Sequence, residues 1–380
     1  MRDPDALAIV DGAERLTYRE WFGKISALVA AFDEIGFKPG DHLVTVLQNN
    51  WQAATIHWAC QFAGIIVTPV NWRAKNDEID FYIENAEARA VAYQDVSAAA
   101  IVGAKRAAHL PRIAISVTNA ADLDFAQLAA TKAADASPRV KADAWSLMLY
   151  TSGTTSRPKG VPRRARGRHR PPGAEPYGSG ERTLGVMPLY HTMGVRSLLA
   201  MSLVGGTFVC VPQFDAARAL ALITAECISN LYLVPTLYHD LVHHPAFAGA
   251  DVRSVRKLGF AGAPMTDALL QKLEPAFRPD LFVNHYVSTE IYTKARFVRP
   301  RVSIRWCAWC ASTLPTPTRS RRQARKAKSQ RNSPAMNPSK AIGAGLKRMR
   351  PRSTTAGISP AIPDEWTPTA TYSSPAGWMI

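Results

Sequence analysis

The chain has 380 residues, 47% of them hydrophobic, enough for one large multi-layered domain or two smaller ones with ample core. Its formal charge of +16 points at first to polyanionic partners, but residues 294–380 hold seventeen Lys/Arg against two Asp/Glu, so +15 of the charge lies there. The rest is nearly neutral, which argues against a nucleic-acid-binding body. In chain order, residues 16–35 read as an amphipathic helix, 42–47 as a strand, 51–62 as a helix, 65–70 as a buried strand, 76–86 as a helix and 90–93 as a strand. Further along, 145–150 reads as a strand, 195–214 as an apolar helix, a Gly205-Gly206 turn and a strand, 218–226 as a helix, and 228–234, 255–260 and 281–286 as strands. This alternation is that of an α/β fold with sheets flanked by helices. Gln61 and Gly64 interrupt one apolar stretch and Gly205-Gly206 the other, so no membrane span is expected. Asp3 and Asp5 follow Met1 with no early apolar core, so no signal peptide is expected either.

Tyr150-Thr-Ser-Gly-Thr-Thr-Ser-Arg-Pro-Lys-Gly160 concentrates hydroxyls, glycine and one lysine after a strand. Hydroxyls and unobstructed backbone N–H groups suit phosphate oxygens, Gly153 permits close approach, and Lys159 adds a mobile charge. Lys159 precedes the last glycine and no Ser/Thr follows, so this is not a Walker loop. Further along stand Met187-Pro-Leu-Tyr-His-Thr-Met-Gly194, Phe260-Ala-Gly-Ala-Pro264 and Asn284-His-Tyr-Val-Ser-Thr-Glu290. Taken alone, His191 reads as a core histidine and Gly262-Ala263-Pro264 as a plain turn.

Taken together and in this order, the four segments resemble the motifs of the adenylate-forming superfamily of acyl-CoA synthetases, luciferases and peptide-synthetase adenylation domains. The resemblance implies a multi-layered N-terminal domain over residues 1–293 that binds ATP, Mg2+ and a small-molecule carboxylic acid, with coenzyme A as the acyl acceptor. It places Thr151, Ser152, Gly153, Thr154, Thr155 and Lys159 on the phosphates, and His191 and Gly262 beside the acid. Gly262, Ala263, Pro264, His285 and Tyr286 then surround adenine, Thr289 reaches the α-phosphate, and Glu290 and Thr154 hold the metal. Lys159, Thr289 and Glu290 form the catalytic set. Two positions depart from the family pattern: Ser156 and Val287 stand where glycine is usual. The closeness of the 187–191 and 260–264 segments to benzoate-type ligases leans toward aromatic or cyclic acids.

Residues 294–380 show no helix or strand period and carry ten prolines. They read as a disordered basic extension, or as the shifted frame of a gene that once encoded more of such an enzyme. A Trp codon ends in G and Met and Ile codons begin AT, so a one-base shift across 378–380 forces Asp-Asp, the end of a possible Gly-Arg-Val-Asp-Asp. That string resembles the family's hinge motif, and a shifted 356–364 resembles its ribose-binding Thr-Gly-Asp segment. A smaller slip is expected over 163–176. On this reading the small C-terminal domain is lacking, coenzyme A binding is lost, and the chain is an incomplete or inactive ligase copy. A non-catalytic ATP- or acid-binding remnant, and a nucleic-acid-interacting protein acting through the basic tail, stay open beside it. Five cysteines without a pairing pattern suit a reducing cytoplasm, and Cys307-Ala-Trp-Cys310 lacks the second pair of a zinc site.

Overall fold

The segment expected to be helical from residue 16 begins as a strand and turns helical at Tyr18. The structure, a computed structural model, describes residues 3–117, 122–151, 157–165, 178–286, 289 and 294–297. β1 (Leu7–Asp11) and β2 (Glu14–Thr17) pair antiparallel, and α1 (Tyr18–Glu34) follows. Thr17 sets the boundary. Its hydroxyl accepts from the Glu20 amide at 3.2 Å while the Glu20 carboxylate accepts from the Thr17 amide at 2.8 Å, a reciprocal capping box that satisfies two donors of the first turn.

The first of two sheets has the order β7-β6-β5-β3-β4-β8-β9. It comprises β3 (His42–Val46), β4 (Ile66–Pro69), β5 (Ala88–Gln94), β6 (Arg112–Ile115), β7 (Leu123–Asp124), β8 (Trp145–Thr151) and β9 (Lys159–Arg164). All pair in parallel except β9, which runs back along β8. Helices α2 (Trp51–Ala63), α3 (Asn76–Asn85), α4 (Asp95–Gly103) and α5 (Phe125–Ala130) supply crossovers.

The second sheet has the order β15-β14-β13-β12-β10-β11-β1-β2. Its later strands are β10 (Arg182–Gly185), β11 (Thr207–Cys210), β12 (Asn230–Leu233), β13 (Lys257–Phe260), β14 (Leu281–Tyr286) and β15 (Lys294–Phe297). Again only the end strands, β2 and β15, are antiparallel. The helices here are α6 (Thr192–Val204), α7 (Ala216–Ala225), α8 (Pro235–His243) and α9 (Asp267–Phe277). β15 lies just past the domain boundary drawn at 293 from the sequence.

Side-chain alternation fixes the layering, because successive strand residues face opposite sides of a sheet. Leu43, Ala90, Ala92 and Ile113 of the first sheet share one core with Ile9, Phe208 and Cys210 of the second, and with Trp21, Leu28, Ile56, Leu198 and Leu199 of α1, α2 and α6. Those three helices therefore lie between the sheets. Val44, Val46, Val91 and Tyr93 turn outward onto Ile79, Ile83 and Ile101 of α3 and α4. Val209, Val211, Leu231 and Leu233 turn outward onto Leu220, Leu237 and Leu273 of α7, α8 and α9. Parallel strands covered on both faces need continuous apolar runs, which these short Val/Leu/Ile strands provide. Each buried large side chain is worth roughly 1.5–3 kcal/mol of transfer free energy.

Candidate active site

In open α/β sheets ligands bind beyond the carboxyl ends of the strands, and three of the four sequence motifs leave the second sheet there. β10, β12, β13 and β14 are adjacent in that order. The segment carrying His191 follows β10, the Gly262 turn follows β13, and Tyr286 ends β14. The fourth motif belongs to the first sheet, at the mouth of the β8–β9 pair. Lys159 and Gly160, expected within a single turn, are the first residues of β9, with Lys159 in register with Thr151 and Gly160 with Tyr150. The motif is thus the mouth of an antiparallel pair, with Lys159 exposed on one rim and Thr151 half-buried on the other. Ser152, Gly153, Thr154 and Thr155 lie outside the described residues, as do Val287 and Glu290.

The hairpin and the second sheet are tied directly. The Arg163 guanidinium on β9 donates to the backbone carbonyl of Thr289, just past β14. Glu290, expected to hold magnesium with Thr154, is the next residue. Among the described residues no group of three His, Cys, Asp or Glu side chains is placed to hold a metal ion.

His191 is the N-cap residue of α6, and its amide donates to the Pro188 carbonyl at 2.9 Å. It is exposed to solvent yet has protein around most of its ring. Desolvation there disfavours the imidazolium and holds the pKa below the ordinary histidine value. The reading of His191 as a buried core residue does not describe it. Met193, Tyr232 and Ala261 pack together, with Met187 and Val234 against them, so the His191 segment, the end of β12 and the Gly262 turn form one wall. Gly262 has φ +87°, a backbone state that L side chains rarely adopt, and a Cβ there would stand 3.3 Å from Val234 Cγ1. Gly262, Ala263 and Pro264 are all exposed, and none carries a long side chain.

His285, expected beside adenine, is 2% exposed and lies under this wall. Its Nδ1 is 2.8 Å from Arg196 Nη1, and its ring meets Tyr232 edge-on with centroids 5.0 Å apart. A guanidinium only donates, so Nδ1 is the acceptor and a neutral His285 ring carries its proton on Nε2. Arg196 Nη1 also lies 3.4 Å from the Tyr232 hydroxyl, with the guanidinium 5.2 Å from that ring's centroid. Sequence reasoning passed over Arg196 and Tyr232, and it put Arg163 at the start of the expected slip over 163–176, whereas Arg163 is a residue of β9 that bonds the Thr289 carbonyl. For Arg196 a signal existed: it is the lone charge in the apolar run of α6.

The sequence profile described as "AMP-binding enzyme" matches residues 1–315. A feruloyl-CoA synthase from Amycolatopsis sp is 29% identical over 304 residues, covering 76% of this chain and 57% of the relative. A 4-chlorobenzoate--CoA ligase from Pseudomonas sp. (strain CBS-3) is 37% identical over 158 residues, covering 38% of this chain and 28% of the relative. The chain therefore spans less than two thirds of the length of these relatives. Among solved structures, the inhibitor-bound N-terminal domain of FACL13 from Mycobacterium tuberculosis superposes with TM-score 0.69 at 22% identity, covering 76% of this chain and 73% of that one. At that identity the likeness is one of fold.

Proposed function

The chain belongs to the AMP-binding enzyme family, and from that premise we propose that it activates a carboxylic acid with ATP and passes the acyl group to coenzyme A. The observation that carries this reading is that the His191, Gly262 and Tyr286 segments sit at the carboxyl ends of β10, β13 and β14 in one sheet, with Arg163 joining the Lys159 hairpin to the Thr289 carbonyl. In the first step an acid oxygen forms a bond to the α-phosphorus of ATP, and the bond from that phosphorus to the bridging oxygen breaks. Pyrophosphate leaves with the electron pair. In the second, the thiol of coenzyme A displaces AMP from the acyl carbon and loses its proton. Neither step needs a strong protein acid or base; the first needs negative charge held in place.

The residues fit those demands. Lys159, exposed at the hairpin mouth, is free to reach a triphosphate, and Thr151 offers a hydroxyl across the pair. The exposed, small residues Gly262, Ala263 and Pro264 suit a flat ring. His191, kept neutral by desolvation, can hydrogen-bond the acid without forming an ion pair that would blunt its nucleophilicity. Glu290 follows Thr289 in the chain, and on the chemistry of their oxygens we assign the metal to Glu290 with Thr154. Bound magnesium would supply charge neutralisation among the phosphate oxygens.

For the acid we propose an aromatic carboxylate, on the likeness to feruloyl-CoA synthase and 4-chlorobenzoate--CoA ligase. Acid-dependent exchange of labelled pyrophosphate into ATP, run on the full chain with benzoate, ferulate and palmitate, tests it. Exchange with the first two exceeding that with palmitate supports the class, and the reverse order removes it. Tight ATP binding with no exchange for any acid would mark a binding protein in place of a ligase.

A further inference from the structure

The turn between β3 and α2 carries two asparagines with separate partners. Asn50 caps α2, accepting from the Ala53 amide at 2.8 Å. Asn49 reaches across to the second sheet. Its side chain donates from Nδ2 to the carbonyls of Gly185 at 2.8 Å and Met187 at 2.7 Å, and accepts at Oδ1 from the Leu189 amide at 2.9 Å. The residue is 3% exposed, so these bonds are shielded from water. One amide thus fixes alternate residues of the segment that runs from β10 to His191. A flipped amide would set an oxygen against two carbonyls and lose all three bonds, so the orientation follows from the partners.

Asn49 is itself held in place. The Gln48 amide donates to Gln94 Oε1 at 2.8 Å, Gln94 Nε2 returns the bond to Gln48 Oε1 at 2.9 Å, and Asn50 Nδ2 reaches Gln94 Oε1 at 3.1 Å. On the other flank, Gly194 of α6 lies so close to Pro188 that a Cβ would stand 2.1 Å from its carbonyl oxygen. Residues 185–191 are therefore gripped from the first sheet by Asn49 and from α6 by contact.

We propose that Asn49 is a positioning residue for the acid: from the first sheet it sets where the His191 segment stands at the edge of the second. The inference rests on the acid-activation reading above. Asn49→Asp is the sharpest test, because it keeps the acceptor for Leu189 and turns the donor facing two carbonyls into an anion. Asn50→Ala, which removes the helix cap and the bond to Gln94 but none of Asn49's own three bonds, is the control. In the full chain, hydrogen exchange followed by peptide mass spectrometry should show about ten-fold or greater loss of protection over residues 186–192 in Asn49→Asp. Peptides from β5 and α3 should be unchanged. In pyrophosphate exchange the KM for the acid should rise about ten-fold or more with the KM for ATP unmoved, while Asn50→Ala lowers Tm and moves neither KM. Unchanged protection at 186–192 overturns the proposal, and so does a loosened segment with an unaltered acid KM. If the wild-type chain shows no pyrophosphate exchange, the acid-activation reading fails and takes the consequence for KM with it. The hydrogen-exchange pattern would still decide the clamp.

Discussion

At the scale of single residues, the environment of His191 makes a pH prediction whose sign can be worked out. Its pKa in the native state lies below the usual 6.5 because desolvation disfavours the charged ring. Between that lowered value and 6.5 the unfolded chain binds more protons than the native one, so stability rises with pH across the window and is lost as pH falls through it. A side-chain NMR titration should place the His191 midpoint below 6.5, and a midpoint at or above that value would remove the desolvated site. Gly194 makes a steric prediction. Gly194→Ala sets a methyl against the Pro188 and Met187 carbonyl oxygens, 2.1 and 2.3 Å from the ideal Cβ. Overpacking should cost about 1–3 kcal/mol, seen as a lower denaturant midpoint; an unchanged midpoint would show that the loop yields freely. His191 was legible in the sequence because it sits in an ordered string of motifs. Asn49 was not, since its partners lie more than 130 residues away and nothing local separates it from the neighbouring cap.

At the scale of elements, most of the helices and strands read from the sequence lie within a residue or two of their observed ends, while β1, β6, β7, β10, α4, α5, α8 and α9 were not read. The end strands were missed for a reason of their own. β2 and β9 are antiparallel end strands, half-covered, short and polar, so neither a continuous apolar run nor a helical stripe marks them. β9 also contains Pro162, which reads as a loop residue but is tolerated on an edge strand. This is why Lys159 was expected in a turn and is found at the head of a strand. The start of α1 was blurred by Leu16, an apolar strand residue that mimics the helical pattern. Thr17, followed three residues on by Glu20, is the true boundary signal. Thr17→Ala breaks the capping box and should lower stability by about 1 kcal/mol, with Tm falling accordingly; no change would mean that packing alone fixes the helix start.

At the scale of the whole molecule, two sheets have three helices between them, and the Lys159 hairpin of one is tied to the end of β14 in the other through Arg163. The layering was legible as α/β alternation, but which strands neighbour one another was not, since pairing depends on contacts far apart in sequence. The shifted-frame reading of the basic tail and the slip over 163–176 fall largely outside the described residues. The measurement that decides most is acid-dependent pyrophosphate–ATP exchange by the full chain beside its Lys159→Met variant. Lys159 is exposed and its loss should leave the fold intact, with Tm unchanged. Exchange in the wild type that falls at least about 100-fold in the variant is the predicted result. Equal exchange in both proteins, or none in the wild type with ATP and an aromatic acid at saturation, would contradict the assignment of this site.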